Sequence, residues 1–176
     1  MNLICGNCHL PASPDEKSIC KRCENERIID SMLQRQLYIP PWLKFAFSQL
    51  SVAEIPGELS NDKIADYLSV IGMPRIDEIP WCAAFVAWCL KQSNTNYLKS
   101  ALSRDWLSWG QESGNVMGCI AILWRGDIKA TTGHIGFYIG EDEKNLYLLG
   151  GNQSNSVSIA PYSFNNLLGF RMPKED

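Results

Sequence analysis

Between Pro80 and Leu90 the chain reads Pro-Trp-Cys-Ala-Ala-Phe-Val-Ala-Trp-Cys-Leu, with no charged residue and almost no polar face. Ala83, Ala84, Ala87 and Leu90 are strong helix formers. A helix that is apolar all round cannot lie on a surface; other elements must wrap it. Any fold open to this chain therefore has this helix at its centre. The helix starts on Cys82. A cysteine at a helix N-terminus meets unpaired backbone N–H groups and the positive end of the helix dipole, and both favour the nucleophilic thiolate. Cys82 is the candidate nucleophile; the competing reading is a structural cysteine, buried and inert.

The pattern on either side suggests what wraps that helix. Upstream, Ile28, Ile29, Met32, Leu33 and Leu37 recur at helical spacing, which predicts a helix over residues 24–37 that ends before Pro40-Pro41. Residues 42–50 form a short apolar helix, and Asn61 is placed to cap another through Ile64, Tyr67, Leu68 and Ile71. One more helical piece is expected over 98–109 and a loop at 110–115. After that the period changes to that of strands. Residues 119–124, 134–140, 146–151, 157–159 and 168–172 read as strands, with a charged hairpin loop at 141–145. Helices first and antiparallel strands after is an α+β pattern.

Bulk properties exclude several classes. With 176 residues the chain holds one ordinary domain and a small module. A net charge of −3 gives no electrostatic footprint for nucleic acid. No apolar run approaches the ~20 residues of a membrane span. Met1-Asn2-Leu3-Ile4-Cys5 shows no basic stretch leading into a long apolar core, so synthesis in the cytoplasm without a signal peptide is expected. Action outside the cell would then follow lysis or a dedicated secretion route.

Seven cysteines fall into two groups. Cys82, Cys89 and Cys119 belong to the body. Cys5, Cys8, Cys20 and Cys23 form two CxxC pairs separated by 11 residues. Each CxxC turn aims two sulfurs at one point, and two such turns complete a tetrahedral thiolate site for Zn²⁺. Four sulfurs leave no position for water, so one zinc ion is expected in a purely structural role, with no cofactor for catalysis. A segment of 25 residues cannot bury a core unaided, and the metal supplies what is missing. The module's charges balance, five basic against five acidic over residues 1–36, which suits protein docking or stability better than nucleic acid. The predicted organisation is a zinc knuckle at 1–25, a linker at 26–41 and a body at 42–176.

His134 is the only imidazole in the body. A catalytic thiol needs an imidazole to take its proton and later to protonate the leaving group, and a polar third group to fix the ring's tautomer. If 134–140 and 146–152 pair as a hairpin, Asn152 lies near the level of His134. Trp81, Trp106, Trp109 and Trp124 offer aromatic faces suited to sugars and peptides.

Four stretches in order carry a resemblance: Pro80-Trp81-Cys82-Ala83-Ala84-Phe85, Gly133-His134-Ile135-Gly136-Phe137, Leu149-Gly150-Gly151-Asn152-Gln153-Ser154 and Leu168-Gly169-Phe170-Arg171-Met172-Pro173. Together they resemble a bacterial and phage branch of the CHAP and NlpC-type cysteine peptidases over about residues 42–173. The resemblance implies a papain-like fold, with a helical N-terminal half packed on a C-terminal antiparallel sheet. It implies a hydrolase that cleaves an amide bond in bacterial peptidoglycan, as a phage lysin or an antibacterial effector. Cys82 becomes the nucleophile, His134 the general base and acid, and Asn152 the third member. Trp81, Trp124 and Gln153 are the candidate substrate-binding residues. Many members have an acid two positions before the asparagine; this chain has Gly150 there, and Gln153 is the reserve third member. The implied partners are peptidoglycan, a delivery machinery and a cognate inhibitor or immunity protein. Two other readings remain open: an intracellular cysteine protease or deamidase, and a peptide-binding adaptor with an unused thiol.

The purified chain is expected to carry about one zinc ion per molecule, as a closed four-thiolate site requires. Elemental analysis of a Cys20→Ser variant should find most of it lost. Full zinc retention there would remove these four sulfurs as the ligand set.

Overall fold

The computed structural model describes residues 39–57 and 60–174. The chain divides into two units at Ile39–Pro40, and the described residues belong almost wholly to the second. The expected zinc knuckle, with Cys5, Cys8, Cys20 and Cys23, and the helix expected over 24–37 lie outside the described residues.

Three α-helices precede the sheet: α1 over Pro41–Ser48, α2 over Asp62–Val70 and α3 over Cys82–Gln92. Each start has a local cause. Pro41 occupies the first turn of α1, where its missing N–H is not needed. Asn61 caps α2, its side-chain oxygen accepting from the Lys63 N–H at 2.9 Å, and Asp62 adds a favourable charge in the first turn. No side chain caps α3, which follows Pro80 and Trp81 directly.

Six strands follow: β1 Gln111–Ser113, β2 Ile120–Trp124, β3 Gly133–Glu141, β4 Asn145–Gly150, β5 Ser158–Ser163 and β6 Leu167–Met172. They form one antiparallel sheet in the order β1-β6-β2-β3-β4-β5. The α+β class read from the periods is the class observed. Two local expectations change. Residues 98–102 are not helical, and only Ser103–Ser108 makes a 3-10 turn. Ser100 explains part of this, because its hydroxyl accepts from the Leu102 N–H and donates to Asp105, drawing the chain into a turn. The loop expected at 110–115 contains β1, which exists because β6 offers it a partner. Strand β5 runs to Ser163, past Pro161; as an edge strand it tolerates a residue without an N–H.

Helix α3 lies where its composition demands. Eight of its eleven residues are buried. Tyr67 from α2 packs its ring edge-on to Phe85 and Trp88, and Phe85 meets Phe137 of β3. Leu43 and Ala46 of α1 join the same core, and Trp42 ties α1 to the turn before β2 by donating its indole N–H to the Gly118 carbonyl at 2.8 Å. The sheet face toward α3 contributes Ile120, Ile122, Ile135, Phe137 and Leu149. A smaller apolar cluster, built on Ala121, Leu123, Tyr138, Leu146 and Leu148, lies on the alternate positions. Among the described residues no helix is long and apolar enough to cross a membrane.

Gly151 sets how closely the segment after β4 approaches α3. A Cβ there would overlap the Trp81 ring and the Phe85 Cβ. Gly151→Ala should cost about 1–3 kcal/mol of stability, the usual range for overpacking a filled core. Gly114→Ala, where an added methyl meets open space, should stay within about 0.5 kcal/mol of wild type. Urea unfolding of both variants checks the contrast.

Candidate active site

Cys82 is the first residue of α3 and is 8% exposed. It opens onto a cavity of about 500 Å³ that Pro80, Leu102, Ser103, Arg125 and Thr132 also line. Burial pushes the Cys82 thiol up. The Arg125 guanidinium pulls it back, as do the backbone N–H groups of Ala83, Ile135 and Cys82 itself, but burial wins. The helix-start argument thus names the right groups and the wrong net sign: the resting sulfur is a thiol, because the apolar wrapping of α3 reaches its first residue.

His134 is the second residue of β3 and is fully buried. Its entry to the strand is tight, since a Cβ on Gly133 would lie 2.5 Å from both Ser103 Oγ and the Leu123 carbonyl oxygen. The imidazole stacks on Tyr162 of β5, ring centroids 5.0 Å apart. Its Nε2 lies 3.1 Å from Gln153 Oε1. The Gln153 amide nitrogen donates to the Leu148 and Ser158 carbonyls, and its Oε1 also accepts from the Tyr162 hydroxyl at 3.1 Å. The amide orientation is thereby fixed, so Nε2 of His134 must be the protonated nitrogen that donates to Oε1. Nδ1 is left with a lone pair and no hydrogen-bond partner. Burial and the nearby Arg125 cation lower the His134 pKa to about 4 despite the Gln153 bond.

Sulfur and imidazole share one corner of the molecule. The sulfur feels the N–H of Ile135, the residue after His134. Tyr162, stacked on the imidazole, would feel a charge on Cys82 were the thiol to ionise. Arg125 acts on all three groups. Among the described residues no hydrogen bond joins Cys82 to Nδ1, which has no partner.

The other sequence-derived candidates are placed differently from the expectation. Asn152 is half-buried with φ +55°, at the turn where the chain leaves β4; no hydrogen bond links its side chain to His134. Gln153 holds the ring instead. Its amide fills the space beside Gly150: a Cβ on that glycine would lie 2.9 Å from Gln153 Oε1. At 4% exposed and with its polar atoms engaged, Gln153 positions the imidazole and has nothing left to offer a substrate. Trp81 is fully buried, donating its indole N–H to Glu54 Oε1 at 2.8 Å, so it too is removed as a substrate contact. Trp124 is half-buried, bonded to the Asn165 carbonyl, and does not line the cavity. Trp106 and Trp109 pack on each other in the core.

Arg125, Ser103 and Tyr162 escaped the sequence reading. Arg125 follows β2 in an Arg-Gly-Asp stretch whose pattern signals only a turn. Tyr162 could be found only by knowing the β4–β5 register, in which it pairs with Leu146.

No family model matches the chain, and no curated protein matches it significantly. Among the described residues, no group of three or more metal-ligating side chains is gathered in one place.

A histidine kept neutral by burial makes stability depend on pH. Its folded pKa of about 4 lies below the ordinary 6.5, so the unfolded chain binds more protons between those values. The contribution is present in full above about pH 6.5 and is lost as pH falls toward 4. Unfolding free energy should therefore fall more steeply over this window in wild type than in His134→Gln. Equal slopes would show that His134 is not held neutral.

Proposed function

We propose that this chain is a cysteine-dependent amidohydrolase that cleaves an amide bond in bacterial peptidoglycan. The observation that carries the hydrolase reading is the hydrogen bond from His134 Nε2 to Gln153, which leaves Nδ1 unpartnered in the corner where Cys82 opens α3. The choice of peptidoglycan rests on the resemblance of the motifs around Cys82, His134, Gly150–Ser154 and Leu168–Pro173 to the CHAP and NlpC-type peptidases.

The chemistry follows from the protonation states. A neutral thiol beside a neutral imidazole calls for concerted base catalysis: Nδ1 of His134 takes the Cys82 proton as sulfur bonds to the amide carbon. The negative charge gathers on the carbonyl oxygen. The N–H groups at the start of α3, that of Cys82 first, hold it in this reading; no side chain caps them. The imidazolium then gives its proton to the leaving amine as the C–N bond breaks, which leaves an acyl thioester on Cys82. Water loses a proton to Nδ1 and attacks the thioester; the carboxylic acid departs and the thiol is restored. Gln153 and Tyr162 keep the ring in one orientation and one tautomer throughout.

In this reading the four N-terminal cysteines hold one structural zinc ion outside the reaction. The enzyme reaches the wall after lysis or by a dedicated secretion route, and a cognate inhibitor protects the producing cell.

Digestion of purified peptidoglycan followed by mass spectrometry of the soluble fragments tests the activity and identifies the bond. Cys82→Ala should lower the rate at least about 10⁴-fold, the scale of losing a covalent nucleophile. Release of the same fragments by Cys82→Ala at the wild-type rate would end the proposal.

A further inference from the structure

The cavity at Cys82 has a single formal charge among its lining residues, the guanidinium of Arg125, and no acidic residue. Among the described residues Arg125 makes no ion pair. Its backbone is fixed at the neck of a loop: the Arg125 N–H donates to the Thr132 carbonyl at 3.4 Å, and the Thr132 hydroxyl donates to the Arg125 carbonyl at 3.0 Å. A second arginine braces that loop from behind. Arg104 donates to the carbonyls of Thr132, Ile128 and Asp127 at 3.1, 2.8 and 3.3 Å. Asp127, the nearest acid in sequence, turns Oδ1 to the Lys129 N–H at 2.8 Å. One cation is thus spent on carbonyls to hold the loop, while the other stands at the mouth of the thiol's cavity without an anion.

We infer that Arg125 is the binding site for a substrate carboxylate, on a residue that flanks the scissile amide. The inference rests on the reading of Cys82 as the nucleophile and narrows its substrate class to peptides with a free carboxylate beside the cleaved bond. The planar fork of an arginine suits a carboxylate in two-point contact, and a loop fixed in advance lowers the ordering cost of binding. A neutral amide in the same place offers no charge to the fork. Stem peptides whose flanking carboxyl is free are preferred over those in which it is amidated.

Alkylation separates this inference from the substrate reading. Iodoacetate and iodoacetamide both transfer a two-carbon group to Cys82: the S–C bond forms, the C–I bond breaks, iodide leaves and the thiol proton passes to base. They differ in the carboxylate. The ratio of the two rates at Cys82, measured by peptide mass spectrometry and normalised to free N-acetylcysteine, cancels any change in thiolate fraction. That ratio should favour iodoacetate in wild type and in Arg125→Lys, and should fall at least about fivefold in Arg125→Gln, with the difference shrinking in high salt. An unchanged ratio in Arg125→Gln overturns the inference, as does failure of both reagents to reach Cys82 in the folded protein. If the ratio behaves as expected but peptidoglycan is not cleaved, the carboxylate site stands and the wall substrate falls. On cleavable stem peptides, Arg125→Gln should raise KM for the free-carboxylate form and erase the preference over the amidated form. Equal losses on both forms would assign Arg125 to tuning the thiol and would overturn the substrate claim.

Discussion

The molecule is arranged around the need to cover α3 on every side. Its residues offer no polar stripe that could face water, so α1 and α2 close one flank and the inner face of the sheet closes the other. Tyr67, Phe85 and Phe137 make the contacts that join helix to helix and helix to sheet. The candidate site lies at the N-terminus of this helix, where a cavity meets the covering at Cys82. Cys82 sits there with only a small exposed fraction, and Gly151 lets the chain beyond β4 close against the same helix.

That covering also decides the electrostatics of the site. Helix start, nearby cation and backbone N–H groups all draw the Cys82 thiol toward ionisation, yet burial outweighs them. The same burial, with the same cation, keeps His134 neutral. In the proposed reaction charge therefore develops only as bonds change, and Arg125 is a group that acts on both side chains. Tyr162 and Gln153 complete the corner by stacking on the imidazole and binding its Nε2.

Gln153 and Gly150 depend on each other for space. A side chain at 150 would point into the volume that the Gln153 amide fills. The glycine is a precondition for the glutamine: without a Cβ at 150, residue 153 can fold back to reach the ring. The resemblance directs attention to Asn152, whose positive φ turns it out of the ladder instead. Hairpin reasoning failed there because the β3–β4 pairing ends at Phe137–Leu149, and the chain beyond it curls rather than extends.

What the sequence by itself determined was local or compositional: a buried helix with a cysteine at its mouth, a capped helix at Asn61, five of the six strands and a lone body histidine leading one of them. These follow from period, propensity and capping chemistry, which act over a few residues. The tertiary structure alone decided that Gln153 is the residue bonded to the imidazole, that Trp81 is buried and Trp124 lies off the cavity, that β1 exists, that Arg104 braces its loop and that Arg125 lines the cavity at the thiol. Each depends on which residues meet across the sheet or between distant loops. Burial of the site, and with it the sign of the Cys82 and His134 shifts, is likewise a sum over neighbours that no short stretch of sequence contains.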